Sequence, residues 1–170
     1  MSRNLIRSFD SVPNIRDSAQ DDRIKMSNKI KFKIITPERT VMEDEIDQAT
    51  LPVTDGEVTI LPNHRSYIAS LKSGEIMIKK GGKEFDLATS GGFVEFNKNE
   101  MVILADTAEM AEEIDLTRAE EAKKRAEEAM QRKASMDETD YALVAAAIEK
   151  EMARVKVAKK HHSRHGMKID

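Results

Sequence analysis

The chain has no cysteine and no tryptophan, and only 4% of its residues are aromatic. Without cysteine there is no disulfide framework, no thiolate nucleophile and no thiolate-based zinc site. The scarcity of aromatic rings removes the stacking platforms on which single-stranded nucleic acid is held. A formal net charge of −3 gives no bulk attraction to nucleic acid or to an anionic lipid surface. No apolar run approaches the roughly 18–20 residues that cross a bilayer. Residues 1–25 lack the apolar core of a signal peptide and carry Asp10, Asp17, Asp21 and Asp22. These absences predict a protein of the cytosol, or of the cytosolic face of a larger assembly.

What is present falls into zones. The 170 residues suffice for one ordinary domain, or a small domain with an appendage. A hydrophobic content of 39% supports a core, while 35% charged residues demand much solvated surface. Residues 1–28 are polar and aperiodic and read as a disordered extension. A second possible start, Met26-Ser27-Asn28-Lys29, stands just before the first strand signal, so the first 25 residues read as an alternative-start extension.

Residues 29–110 carry strand signals. Ile30, Phe32 and Ile34 alternate with Lys31 and Lys33, as a half-buried strand requires. The runs Ile76–Lys80 and Lys83–Leu87 flank Gly81-Gly82, a two-residue hairpin signal. Val94–Phe96 and Met101–Leu104 flank Asn97–Glu100, a second hairpin. Short strands at this spacing predict an antiparallel β-sandwich rather than a parallel sheet.

From about residue 111 to 160 the period becomes helical. Ala119, Ala122, Ala126 and Ala129 recur at steps of three and four. Asp115 or Thr117 can cap the start, and Thr117 with Glu120 fits a capping box. A second helix is predicted to begin between Ser135 and Asp140, with an apolar stripe of Tyr141, Val144, Ile148, Met152 and Val155. The fold class is therefore a β-sandwich followed by an antiparallel two-helix hairpin. Alanine buries little area, at about 0.8 kcal/mol per methylene, so the hairpin should depend on docking and is a candidate mobile element. Residues 161–170 form a basic tail. His161, His162 and His165 have no accompanying carboxylate or cysteine cluster, so no metal site is expected there.

Several segments resemble the epsilon subunit of the bacterial proton-translocating ATP synthase. They are Gly56-Glu57 with Ile60-Leu61-Pro62-Asn63-His64, then Leu71-Lys72-Ser73-Gly74, Ser90-Gly91-Gly92-Phe93-Val94-Glu95 and Ile103-Leu104-Ala105-Asp106. The following Ala-rich hairpin is also a family feature. The family more often has Gly where this chain has Asn63, and Asn is the non-Gly residue that best tolerates left-handed backbone. The resemblance implies a non-catalytic rotor subunit that binds gamma, rests on the c-ring and meets the alpha/beta catalytic hexamer. It would touch the membrane only through that complex. Asp55 and Glu57 match the segment facing the ring, with His64 in the adjoining loop, and acidic groups there could pair with arginines of ring loops.

The start of the hairpin, Ile114-Asp115-Leu116-Thr117-Arg118-Ala119 with Arg125 following, is similar to the ATP-binding motif of some bacterial epsilon subunits. By that resemblance Glu109 and Arg154 also contact nucleotide, and Lys150 stands where a binder has a second Arg. Arg118 and Arg125 are two turns apart and share a helix face, where Arg154 of the antiparallel helix could join them. The competing reading makes Asp115 an N-cap and the arginines solvated partners of Glu121 and Glu128. No cofactor is required, ATP being at most a regulatory ligand. There is no P-loop, so hydrolysis is not expected. A stand-alone ATP sensor is the alternative function. A hydrolase built on His64 is weaker, because no nucleophile motif accompanies it.

Overall fold

A computed structural model describes residues 29–131 and 138–166. Among the described residues, eight strands precede a 3-10 turn (Ala111–Glu113) and two α-helices: β1 (Ile30–Ile35), β2 (Thr40–Ile46), β3 (Gln48–Val53), β4 (Gly56–Ile60), β5 (Tyr67–Lys80), β6 (Lys83–Asn97), β7 (Glu100–Ala105) and β8 (Ala108–Met110), then α1 (Leu116–Gln131) and α2 (Glu138–Arg164). The predicted extension and the hairpin turn fall on residues 1–28 and 132–137, outside the described residues.

The strand order is β2-β1-β7-β6-β5-β3-β4, with β8 added to β6. β5 and β6 pass through both layers of the sandwich. The first half of β5 pairs with the second half of β6, beside β7; their other halves pair beside β3 and β8. Pairing is antiparallel except for β1 with β7, which run parallel. Hydrophobic alternation specifies a strand's face but not its partner's direction, so that parallel pair was not legible in the sequence.

Both predicted hairpins are two-residue turns with positive φ at each central residue: 56° and 78° at Gly81 and Gly82, 49° and 61° at Lys98 and Asn99. Gly91-Gly92 is no turn; it lies inside β6, where the strand crosses between layers. A Cβ on Gly92 would stand 2.1 Å from the Leu104 carbonyl oxygen, so the backbones of β6 and β7 meet only because that side chain is missing. Asn63 takes φ 65° after Pro62, and His64 N–H closes the turn on Leu61 O at 3.1 Å.

The core lies between the layers. Ile30, Phe32, Ile34, Ile76, Ile78, Val94, Phe96, Met101 and Ile103 are essentially inaccessible there. A smaller cluster of Ala88, Ala111, Ile114, Leu116, Ala119, Val157 and Ala158 fixes the hairpin to the outer face of β6. Asp115 caps α1: its Oδ1 accepts the Arg118 N–H at 3.1 Å and its carbonyl accepts the Ala119 N–H. Thr117 thus lies inside the helix, and the capping box expected with Glu120 is not used.

The stripe expected on α2 is only partly followed. Val144, Ile148 and Val155 are half-buried, but Tyr141 and Met152 are exposed, and the enclosed side chains are Ala153, Val157 and Ala158. The C-terminal half of α2 packs on α1 and on the sheet together, which turns its buried face away from the stripe that α1 alone would select. The helix continues to Arg164, so the first residues of the basic segment are helical.

Candidate functional site

Two regions combine the predicted residues. The first is an open cavity of about 550 Å³ at the root of the hairpin, lined by Glu109, Glu113, Asp115, Arg118, Glu121, Ala122, Arg125 and Arg154. Its volume is in the range of roughly 300–1,000 Å³ typical of small-molecule sites. β8 supplies Glu109, the capped start of α1 supplies Asp115 and Arg118, and the next two turns add Glu121 and Arg125. Arg154 comes from α2. The chain therefore gathers residues 45 positions apart around one opening.

Arg154 is the most constrained of these. Its Nε donates to Glu109 Oε2 at 2.7 Å and its Nη1 to Glu151 Oε2 at 2.7 Å. Burial works against the charged guanidinium, but the bonds from Glu109 and Glu151 outweigh it and hold its pKa above the ordinary value. Arg125 is looser, 3.8 Å from Glu121 with both side chains largely exposed. Glu113 is drawn off by Arg39 at 2.8 Å. Four carboxylates and three guanidiniums line the cavity. Arg125 and Arg154 therefore add attraction for an anionic ligand only as they turn from Glu121, Glu109 and Glu151 toward it.

Ile114 and Ala119 are 5% and 0% exposed and belong to the small core behind the cavity, so they shape its floor rather than its lining. Lys150 is not among the lining side chains. Sequence reasoning missed Glu113, and named Glu121 only as a helix partner of the arginines, the place it takes beside Arg125. Only their placement opposite the arginines distinguishes them from other surface glutamates.

The second region is the sandwich surface. Asp55 and Glu57 are exposed at the turn into β4, and His64 sits in the loop leaving that strand. About 14 Å of strand separates the two ends, and the fold does not join them into one cluster. The His64 ring packs edge-on to Tyr67 and Phe96, with centroids at 6.2 and 6.1 Å, and its Nδ1 lies 2.8 Å from Arg65 O. Around it, Asn99 Nδ2 donates to Asn63 Oδ1 and Ser66 Oγ to Asn97 Oδ1. His64 thus helps tie the β4–β5 loop to the β6–β7 turn.

An exposed apolar face went unnoticed in the sequence. Ile68, Phe93 and Leu104 are 73%, 61% and 57% exposed. The register sets Phe93 beside Leu104 on one side and Ser70 on the other, with Ile68 one pair along the same face. Phe93 and Leu104 alternate with buried neighbours and Ile68 with the half-buried Tyr67 and Ala69, so the strands are apolar on both faces. That pattern marks a sheet covered twice.

Models of two domains match adjoining stretches of the chain: ATP synthase, Delta/Epsilon chain, beta-sandwich domain over residues 29–111, and the long alpha-helix domain of the same chain over 112–159. The chain belongs to the ATP synthase delta/epsilon family. Similar relatives carry the name ATP synthase epsilon chain. That of Desulforamulus reducens is 42% identical over 78% of this chain and 99% of its own length. Those of Dehalococcoides mccartyi and Geobacter sulfurreducens are 44% and 38% identical over 78% and 79% of this chain, and 94% and 97% of theirs. Among solved structures, a chain of the Euglena gracilis mitochondrial ATP synthase, in its OSCP/F1/c-ring assembly, superposes with a TM-score of 0.67. The identity there is 20%, over 94% of this chain and 99% of that one, and the match shows a common fold. The sandwich and the helical hairpin are thus the two domains of this family. No described helix is long and apolar enough to cross a membrane.

Proposed function

We propose that this chain is a rotor subunit of the proton-translocating ATP synthase, without a catalytic site of its own, on the cytoplasmic face of the membrane. The exposed Ile68–Phe93–Leu104 face carries this reading. Such a surface on β5, β6 and β7 suits permanent burial against a stalk partner, the role of gamma in the family. The Asp55-Gly56-Glu57 turn and the His64 loop are offered to the c-ring, and the hairpin to the alpha/beta hexamer. Co-purification tests the assignment. The chain should elute with gamma, alpha and beta, and Phe93→Asp should strip it from gamma; a native-like complex in that variant would sink this choice of surface.

The hairpin-root cavity favours a regulatory ATP site, with Arg118, Arg125 and Arg154 toward the phosphates and Glu109 and Asp115 toward the adenine amino group or ribose. Ile114 and Ala119 support it from the small core. If ATP binds only the docked hairpin, it stabilises that state by about 1.4 kcal/mol at ten times Kd. When ATP falls, the hairpin would extend toward the hexamer and block hydrolysis. Calorimetric titration of the full chain with ATP tests the site: Arg118→Ala and Arg125→Ala should each abolish the heat, and an unaltered isotherm refutes it. Truncation at Asp115, which preserves β8, should raise hydrolysis by the assembled complex.

A further inference from the structure

The basic end of α2 does not lie free on the surface. Glu75 on β5 and Asp86 on β6 point from the outer face of the sheet, away from the core, on either side of Ala88 and Met77 in the paired strands. Their side chains are only 9% and 3% exposed, because α2 covers them. Lys160 Nζ bonds to both, reaching Glu75 Oε1 and Asp86 Oδ1, the latter at 3.1 Å. Arg164 bonds to Asp86 Oδ2 at 2.7 Å and reaches Glu84 at 2.5 Å. Lys156 Nζ lies 3.3 Å from Glu75 Oε2. These three cations recur every four residues and so form one stripe along α2.

The apolar part of the docking surface is thin. Val157 and Ala158 meet Ala88, with Ala119 and Leu116 beside them. Two carboxylates taken from water under a helix would oppose docking unless each met a cation. Here each meets more than one. Charge pairing therefore sets where α2 sits, and the ion pairs at its edges remain open to solvent, since Lys156 is 63% exposed.

We propose that Glu75 and Asp86 form an anionic socket that latches the Lys156–Lys160–Arg164 stripe and makes the docked hairpin an ionic-strength-gated state. The consequence for regulation rests on the reading above that the hairpin moves. The latch itself needs neither nucleotide nor partner. Apolar docking is indifferent to moderate salt screening, whereas pairs at a solvated edge weaken as the Debye length falls from over 10 Å to about 3 Å.

Amide hydrogen exchange on the full chain tests it, read over residues 153–164 at about 0.05 and about 1 M sodium chloride. The native chain should exchange several-fold faster at high salt in that segment, with β5 and β6 unchanged. Glu75→Gln/Asp86→Asn should exchange fast at both salts. Lys160→Met/Arg164→Met, which leaves the sheet untouched, should lose the salt response in the same way. Val157→Ala should exchange faster at low salt yet keep that response. Native exchange indifferent to salt, or a socket variant that behaves like native, overturns the latch. Adding ATP separates the two ideas. Salt-gated exchange that ignores ATP supports the latch and removes only the nucleotide site, whereas ATP protection with salt-indifferent exchange overturns the latch alone.

Discussion

The sandwich and the helical hairpin bury their side chains in different ways. The sandwich encloses Phe32, Phe96, Met101 and a set of Ile and Leu side chains at close to zero exposure. The hairpin encloses mostly alanine, with Ile114, Leu116 and Val157 as its larger contributors. Ala122, Ala126 and Ala129 are only half-buried against α2. Free energy follows area, so one region is a rigid platform and the other an attachment held by a small apolar contact and a set of charges. A part that must keep its place and a part that can leave it are thus built from different residues.

The largest expected effect breaks the platform. Phe96→Ala empties a fully buried site and should cost about 3–5 kcal/mol, read as a lower midpoint in urea for the whole chain. An unchanged midpoint for the sandwich would refute its role as the rigid platform. Val157→Ala is the matching change on the hairpin and should cost roughly 1–2 kcal/mol of docking. Faster amide exchange confined to α2 would measure it, and a shift of the global midpoint would count against it.

Acid should act on the contact between the two regions. Burial pushes the Glu75 carboxyl up, but Lys160 and then Lys156 outweigh it, so its pKa lies below the ordinary 4.5. Asp86 shares Lys160 with it. A lowered pKa contributes stability that is complete above pH 4.5 and is lost as pH falls through the lowered value. The α2 segment should therefore loosen below that range before the sandwich does, a difference that exchange at stepped pH would resolve. The smallest effect is on the solvated face of α1. Lys123→Ala removes an i,i+4 pair with Glu127 at 3.5 Å and should change stability by less than about 0.5 kcal/mol in thermal melts.

Much of this was legible beforehand where a local rule applies. Alternation fixed β1, the Gly81-Gly82 pair fixed its turn, and the Ala spacing gave α1. Asp115 was one of two possible caps, and the packing of Leu116 chose between them. The cavity was half legible: the arginines share a face by helical period, but Arg39 drawing off Glu113 and Glu151 holding Arg154 needed the fold. Val144, Ile148 and Val155 obeyed the helix period, whereas Tyr141 and Met152 are exposed; at Met152 the sheet as well as α1 claims a side of α2.

Sequence alone determined the division into a strand region and a helical hairpin, the two hairpin turns and the family, since each depends on neighbours a few residues apart or on an ordered set of short motifs. Tertiary structure alone decided that β1 and β7 run parallel, that Phe93 and Leu104 form one apolar face, and that Glu75 and Asp86 share a single lysine. Those facts pair residues distant along the chain, where charge and hydrophobicity say what a side chain needs but not which partner supplies it.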